Sequence, residues 1–377
     1  MIQLDRLMDA MDTAGLRFFT GVPDSYLNGF CTRLLHTVPP ERNVIAANEG
    51  NAVGIAAGHY LATGEVPLVY MQNSGLGNAV NPLASLADKQ VYAIPMVLLI
   101  GWRGQPGTGD WPQHTLQGEI TPALLELMHI PYTLLTDDTE QVAAAFAHAA
   151  RETARTRVPY GLIAPKGVLA GEKLNHVDAS YPMSREEAIE TVLDVMPDNT
   201  VYSATTGRAT RELFWLRERR GEGKQTDFLN VGSMGHASSV ALGMAMEKPE
   251  RPVVCLDGDA ACMMHMGALT MMGKYTVPNF LHLALNNGVH ESVGSQPSAG
   301  QTIDLTAVAA ACGYATVGHP VTTKEELMAA IRTLTAADRA GFIDVRIHPG
   351  LSRKLPPLDF SHRDAIDALM EELQETD

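Results

Sequence analysis

Cysteine is scarce in this chain, and the few present are scattered. Cys31, Cys255, Cys262 and Cys312 are the only four in 377 residues, and no two form a CxxC pair. A disulfide framework, an iron–sulfur cluster and a zinc knuckle are excluded on that spacing. A reducing cytoplasm is the expected setting. Basic charge is also short: 28 Lys and Arg stand against 43 Asp and Glu, a formal net charge of −15. Nucleic-acid binding favours a basic patch, so no nucleic-acid partner is expected. Any anionic substrate must be captured by local bases against an unfavourable global field. No apolar run approaches the roughly 20 residues that span a bilayer, so no membrane partner is expected. The first residues, "MIQLDRLMDAMDTAG", are amphipathic and carry acids. They lack a basic stretch leading into an apolar one, so no signal peptide is expected.

What is present is the make-up of a globular chain. Apolar residues are 45% of the total, and the length suffices for two domains with cores of their own. Short apolar runs alternate with amphipathic stretches. The first five candidate strands are residues 17–22, 43–47, 66–72, 95–102 and 160–165; the second five are 200–205, 227–232, 252–258, 280–287 and 341–348. Most are continuously apolar and not alternating, which suits parallel strands covered on both faces. Helices are expected at 139–157 and 323–337, among others. The fold class is α/β, with doubly wound, mainly parallel sheets. A polar, aperiodic stretch, "AGEKLNHVDASYPMS", ends at Ser184, which has capping-box spacing to Glu187. We therefore expect one domain over 1–170, a linker over 171–183 and a second domain over 184–377, two domains of related build with no middle domain.

The chemistry begins at "LDGDAACMM" (256–264), where a strand ends on Gly258-Asp259-Ala260 at the mouth of a helix. Glycine lets a ligand approach the backbone, and the helix start offers free N–H groups: a phosphate cradle. A carboxylate there repels phosphate unless a divalent cation lies between them. One helix and one strand later come Asn286-Asn287-Gly288. In a parallel sheet, Asp259 and Asn287 both fall at the carboxyl edge. A carboxylate and an amide oxygen so placed suit Mg²⁺ shared with a diphosphate. Asp257 has no assigned role.

These residues resemble the thiamine diphosphate motif, usually Gly-Asp-Gly followed later by Asn-Asn, with Ala260 in place of the third glycine. The resemblance implies thiamine diphosphate and Mg²⁺ as cofactors, with the metal on Asp259, Asn287 and the Val289 carbonyl. "ANEGNAVGIAAGHYLATG" (47–64) is similar to the cofactor-activating segment of the thiamine diphosphate-dependent 2-oxoacid decarboxylase superfamily. Glu49 there takes the place of the glutamate that hydrogen-bonds the aminopyrimidine ring. A carboxylic acid sharing its proton with that ring helps remove the very weakly acidic thiazolium proton. In "GSMGHASSVALGMA" (232–245), Met234 matches the apolar wedge beneath the cofactor. "QHTLQG" (113–118) resembles the histidine-bearing loop, with His114 in the proton-transfer position. The order is then pyrimidine-binding half first and diphosphate-binding half second. In this superfamily the cofactor lies between halves of different chains, so a homodimer or higher assembly is implied.

The segments "TGVPDSYLNGFC", "QNSGLGNAVNPLASL", "IGWRGQPG" and "LNNGVHESVGSQPS" resemble the phosphonopyruvate decarboxylases across essentially the whole chain. The implied reaction turns phosphonopyruvate into phosphonoacetaldehyde and CO₂, in phosphonate biosynthesis. Sulfopyruvate decarboxylases, which give sulfoacetaldehyde, are the near alternative. A non-catalytic nucleotide-binding scaffold is the alternative of another class, and joint retention of Glu49, Asp259 and Asn287 speaks against it. The substrate is a small, strongly anionic 2-oxoacid, which calls for cationic forks. Arg103 and His290 are the first candidates, with Arg208 or Arg211 next. Ser25 is expected to bind the carboxylate or relay a proton, alongside His114 and His290. Asp24 lies where relatives place a pocket acid, and equally where it would cap the next helix.

Overall fold

The computed structural model describes residues 2–169, 171, 180–351, 353–356, 358 and 360–374. Residues 172–179 of the expected linker lie outside the described residues. The chain divides into two compact units: Met1–Asn175 with His290–Gln296, and His176–Val289 with Pro297–Asp377.

The first unit is built on a six-stranded sheet. Its strands are β1 (Phe19–Gly21), β2 (Asn43–Ile45), β3 (Leu68–Gln72), β4 (Val97–Gly101), β5 (Tyr132–Leu134) and β6 (Tyr160–Ala164), in the order β2-β1-β3-β4-β6-β5. Every pairing is parallel. Strands β4 and β6 are buried at every residue. This is why their sequences run apolar without alternation: both faces meet helices. Two apolar clusters form, one holding Leu7, Phe30 and Phe146 and the other Val53, Leu83 and Leu125.

The second unit carries a five-stranded parallel sheet. The strands are β7 (Val201–Ala204), β8 (Asp227–Leu229), β9 (Val253–Gly258), β10 (Phe280–Asn286) and β11 (Gly341–Arg346), in the order β11-β10-β9-β7-β8. It too has an apolar cluster for each face. The helix Arg185–Val195 opens on the expected capping box: Ser184 and Glu187 satisfy each other's backbone N–H.

All ten expected strands are present, each trimmed at one or both ends. Strand β5 was not expected. It is an edge strand whose residues are only partly buried or exposed, so it lacks the apolar run that marked the others. The strand order reverses between β1 and β3 and again at β6 in the first sheet, and between β7 and β9 in the second; clefts of such sheets open at the carboxyl ends at these switch points. Among the described residues no helix is long and apolar enough to cross a membrane.

Candidate active site

In the first unit, the segments that leave β1, β2, β3, β4 and β6 carry most of the candidate residues to one sheet edge. Glu49 is the first residue of the helix Glu49–Thr63, capped by Asn48, whose side chain accepts from the Asn51 N–H. The Glu49 side chain turns inward and is buried. Asn78 Nδ2 donates to its Oε2 at 2.7 Å. A Cβ at Gly75 would collide with the same carboxylate, so Gly75 is what leaves room for it. Burial pushes the Glu49 carboxyl above its ordinary range, with the Asn78 hydrogen bond opposing. A buried carboxyl shifted toward its protonated form fits the acid needed beside an aminopyrimidine. Asn78 and Gly75 were not singled out from sequence. They lie within "NSGLGN", where nothing in spacing tells which side chain turns inward.

Asp24 is fully buried and committed. Gln72 Nε2 donates to Oδ1 at 2.6 Å, and the Tyr26 N–H donates to Oδ2 at 2.9 Å. It caps the turn before the helix Asn28–Thr37 and ties it to the end of β3. Burial raises its carboxyl, against those two hydrogen bonds. Ser25, next to it, faces Arg103, whose Nη1 donates to Ser25 Oγ at 3.2 Å.

Arg103 follows β4 and is held by a residue not singled out from sequence, Asp110. Arg103 Nε and Nη2 donate to the two Asp110 oxygens at 2.8 and 2.6 Å. Asp110 also accepts from the Gly104 N–H, the Trp111 N–H and Tyr26 Oη. The guanidinium carbon lies 4.9 Å from the Tyr26 ring centre. Burial alone would raise the Asp110 carboxyl, but Arg103 and the two backbone donors hold it well below the usual carboxylate range. Ser25, Tyr26, Arg103, Gly109, Asp110, Trp111 and Lys166 line a cleft of about 510 Å³. Lys166, on the turn after β6, was also missed; a lysine after a strand carries no sequence signal of its own.

His114 sits in the first turn of the helix Pro112–Leu127. Burial, then the nearby Arg103 charge, lower its imidazole to about 4. Its Nδ1 is buried and, among the described residues, has no hydrogen-bond partner. The loop before it fits closely: a Cβ at Gly104 would overlap the His114 carbonyl, and one at Gly118 would overlap the Gly104 carbonyl. His290 belongs to the first unit by its contacts, and burial lowers its ring to about 4 as well.

In the second unit, β9 delivers Gly258 and Asp259 to the sheet edge. A Cβ at Gly258 would meet only Thr205 Cγ2, at 4.0 Å, so its backbone is open to approach. Thr205 Oγ1 is buried there without a hydrogen-bond partner among the described residues. Ala260 follows in the short helix Asp259–Met264. Asp259 is buried; Ser298 Oγ donates to its Oδ2, and burial raises its carboxyl to about 6. In the parallel register Leu285 faces Gly258, so β10 ends beside Asp259. Asn287 Oδ1 accepts the Val289 N–H at 3.1 Å across Gly288, whose φ is +71°. The adjacent Asn286 donates to the Gly300 carbonyl and to Asp344, while its own Oδ1 is buried without a hydrogen-bond partner among the described residues.

A carboxylate and amide oxygens at one sheet edge are of the kind that Mg²⁺ takes as ligands. A second cluster, Cys255, Asp257 and His282, has ligand atoms within 4.8 Å of one another and is fully buried. It does not fit that ion: burial holds the Cys255 thiol far above its ordinary pKa, and thiols suit softer metals. Instead Asp257 Oδ1 accepts the Gly258 N–H, and Oδ2 faces His282 Nε2 at 3.4 Å. The acid left without a role by the sequence fixes the backbone of the cradle.

Met234 is partly exposed between Ser233 (φ +46°) and Gly235 (φ +86°), so two left-handed residues lift this apolar side chain out of the core. Arg208 opens the helix Arg208–Arg220 behind Gly207 (φ +103°). Arg211 is turned elsewhere, donating to the carbonyls of Leu355 and Pro356.

Residues 4–127 match the thiamine pyrophosphate enzyme N-terminal TPP binding domain, and residues 205–345 match the C-terminal TPP binding domain. Along its length the chain is similar to the phosphonopyruvate decarboxylase of Streptomyces viridochromogenes, with 38% identity over 93% of this chain and 89% of the relative. The phosphonopyruvate decarboxylase of Streptomyces hygroscopicus is 36% identical over 93% of this chain and 88% of its own. The sulfopyruvate decarboxylase of Methanosarcina acetivorans is 29% identical over 98% and 97%.

Proposed function

Because the chain belongs to the thiamine pyrophosphate enzymes, in the phosphonopyruvate decarboxylase family, we propose that it decarboxylates 3-phosphonopyruvate to phosphonoacetaldehyde and CO₂, with thiamine diphosphate (thiamine pyrophosphate) and Mg²⁺. The observation that carries this reading is the 38% identity to a phosphonopyruvate decarboxylase over 93% of the chain. The lower identity to a sulfopyruvate decarboxylase keeps sulfopyruvate as the competing substrate. The reaction breaks the C–C bond to the carboxylate and, with one proton taken up, forms a C–H bond at the 2-oxo carbon, which stays a carbonyl in the aldehyde. The chemistry that the cofactor supplies when bound is an electron sink for the bond that breaks.

The roles of this chain's own residues follow from their surroundings. Glu49, buried and biased toward its protonated form, holds a proton for a ring nitrogen of the cofactor. Asp259, the Asn287 side chain and the Val289 carbonyl are the proposed metal ligands. Gly258 and Ala260 offer backbone to the diphosphate, and Met234 offers an apolar rest for the rings. His114 stays neutral at physiological pH, with one ring N–H and one lone pair. It can take a proton at one nitrogen and release one at the other, the relay that forming the C–H bond requires. Ser25, which accepts from Arg103, is the proposed polar contact for the substrate carboxylate, with Asp24 fixing the turn that presents it. His290 and Arg208 are the remaining proposed substrate contacts.

We assign residues 1–170 to pyrimidine binding and 184–377 to diphosphate binding, joined by 171–183. The acid for the pyrimidine lies in one unit and the metal carboxylate in the other, so each holds half of what the cofactor needs. That supports self-association, with sites shared between chains, as the working assembly. The four cysteines are free thiols, which fits a cytoplasmic setting. The placing of this step in phosphonate biosynthesis rests on the proposed substrate, whose C–P bond the reaction leaves intact.

Calorimetric titration of thiamine diphosphate, with and without Mg²⁺, tests the cofactor assignment. We expect saturable binding that needs Mg²⁺ and weakens at least about tenfold in Asp259→Asn, the scale of one lost charged contact. Equal binding without the metal, or by the variant, would exclude the assigned metal site.

A further inference from the structure

We propose that Lys166, together with the Nη1 edge of Arg103, forms the subsite for the substrate's tail anion, and that Asp110 is the positioning residue that presents Arg103. The proposal rests on the reading of the substrate as an anionic 2-oxoacid and adds which cations take its second charge.

The geometry of the cleft carries it. Arg103 has three sides. Two, Nε and Nη2, are taken up by the bidentate pair with Asp110. Its face lies over the Tyr26 ring. The third, Nη1, is directed to Ser25 Oγ, inside the cleft. Asp110 takes no part as a free acid there. Besides Arg103 it accepts two backbone N–H groups and the Tyr26 hydroxyl, so its oxygens are occupied. Its effect is to fix the guanidinium and to cancel one positive charge.

Lys166 supplies the charge that remains. It is exposed on the turn after β6, lines the same cleft, and among the described residues has no ion-pair partner. The cleft therefore holds two cations and one neutralised carboxylate, a net single positive charge in a chain of net charge −15. A compact ammonium on a flexible stem beside one fixed guanidinium edge suits a tetrahedral oxyanion better than a planar carboxylate. Ser25 Oγ, between Arg103 and the substrate's oxoacid end, separates the two anionic groups. The phosphonate is thus placed at Lys166 and Arg103, and the carboxylate that leaves as CO₂ at the Ser25 side.

The test is calorimetry of the enzyme loaded with thiamine diphosphate and Mg²⁺, titrated with methylphosphonate, which carries the tail alone. We expect saturable binding that weakens by about tenfold or more in Lys166→Met, the scale of a lost charge-assisted hydrogen bond. Lys166 is exposed, so this variant should fold. For Asp110→Asn we expect the KM for phosphonopyruvate to rise by about tenfold while kcat changes much less, with Asp110→Glu recovering part of the loss. A purely structural role would instead lower apparent kcat through loss of folded enzyme and leave KM unchanged. Wild-type binding of methylphosphonate that Lys166→Met leaves unchanged would overturn the subsite, as would no binding at all. If methylphosphonate binds through Lys166 but no CO₂ is released from phosphonopyruvate, the subsite stands and the substrate reading fails.

Discussion

Glu49 is a carboxyl placed where water cannot stabilise its charge, with one amide donor and a glycine beside it. That arrangement suits catalysis and works against stability. The unfolded chain gives up this proton at the ordinary carboxylate pKa, and the folded chain only at a higher one. The group's contribution to stability is therefore full below the ordinary value and is lost as pH rises through the raised one. Glu49→Gln keeps the shape and the Asn78 contact but cannot ionise. We expect turnover to fall at least about a hundredfold, the scale of a lost acid–base group. In cofactor-free protein, the variant's melting temperature should gain on the wild type as pH rises above the carboxylate range. Thermal melts across pH check this, and a wild type that gains on the variant would contradict it. The placement of Asp259 was legible because a strand ends on Gly-Asp at the mouth of a helix, and Glu49 was picked out by the resemblance of its segment. Asp110 was not. Its importance lies in five hydrogen bonds that converge only after the loop folds, and "GTGDW" reads as an ordinary turn.

At the scale of elements, what was legible follows burial. Continuous apolar runs marked ten strands because parallel strands meet helices on both faces. Strand β5 escaped because an edge strand needs no such run. The capping box before Arg185 was readable since both of its members are local. Loop shape was not readable, being set by contacts between distant backbones. The loop after β4 shows this: Gly104 has φ +69°, and its Cα lies against the backbone of His114. Gly104→Ala meets two penalties, a left-handed backbone and overlap with the helix Pro112–Leu127. We expect it to destabilise the protein by about 1–3 kcal/mol. Because Arg103 and His114 flank the loop, KM for substrate should rise as well. Melting curves and initial rates report both effects, and an unchanged KM would show that this loop does not set the pocket.

Over the whole molecule, charge opposes the task. A chain of net charge −15 repels a dianionic or trianionic substrate at long range. Selectivity must then come from short-range groups in the cleft, and rates should be sensitive to which tail the substrate carries. The fold is shared by many chemistries, so the sheets alone do not select among 2-oxoacids. The most direct measurement is the initial rate of CO₂ release from phosphonopyruvate and from sulfopyruvate, side by side, with thiamine diphosphate and Mg²⁺ present. We predict release from phosphonopyruvate with kcat/KM at least about tenfold above that for sulfopyruvate, the discrimination of roughly 1.4 kcal/mol. Release from sulfopyruvate at an equal or greater kcat/KM, or none from phosphonopyruvate, would contradict the account.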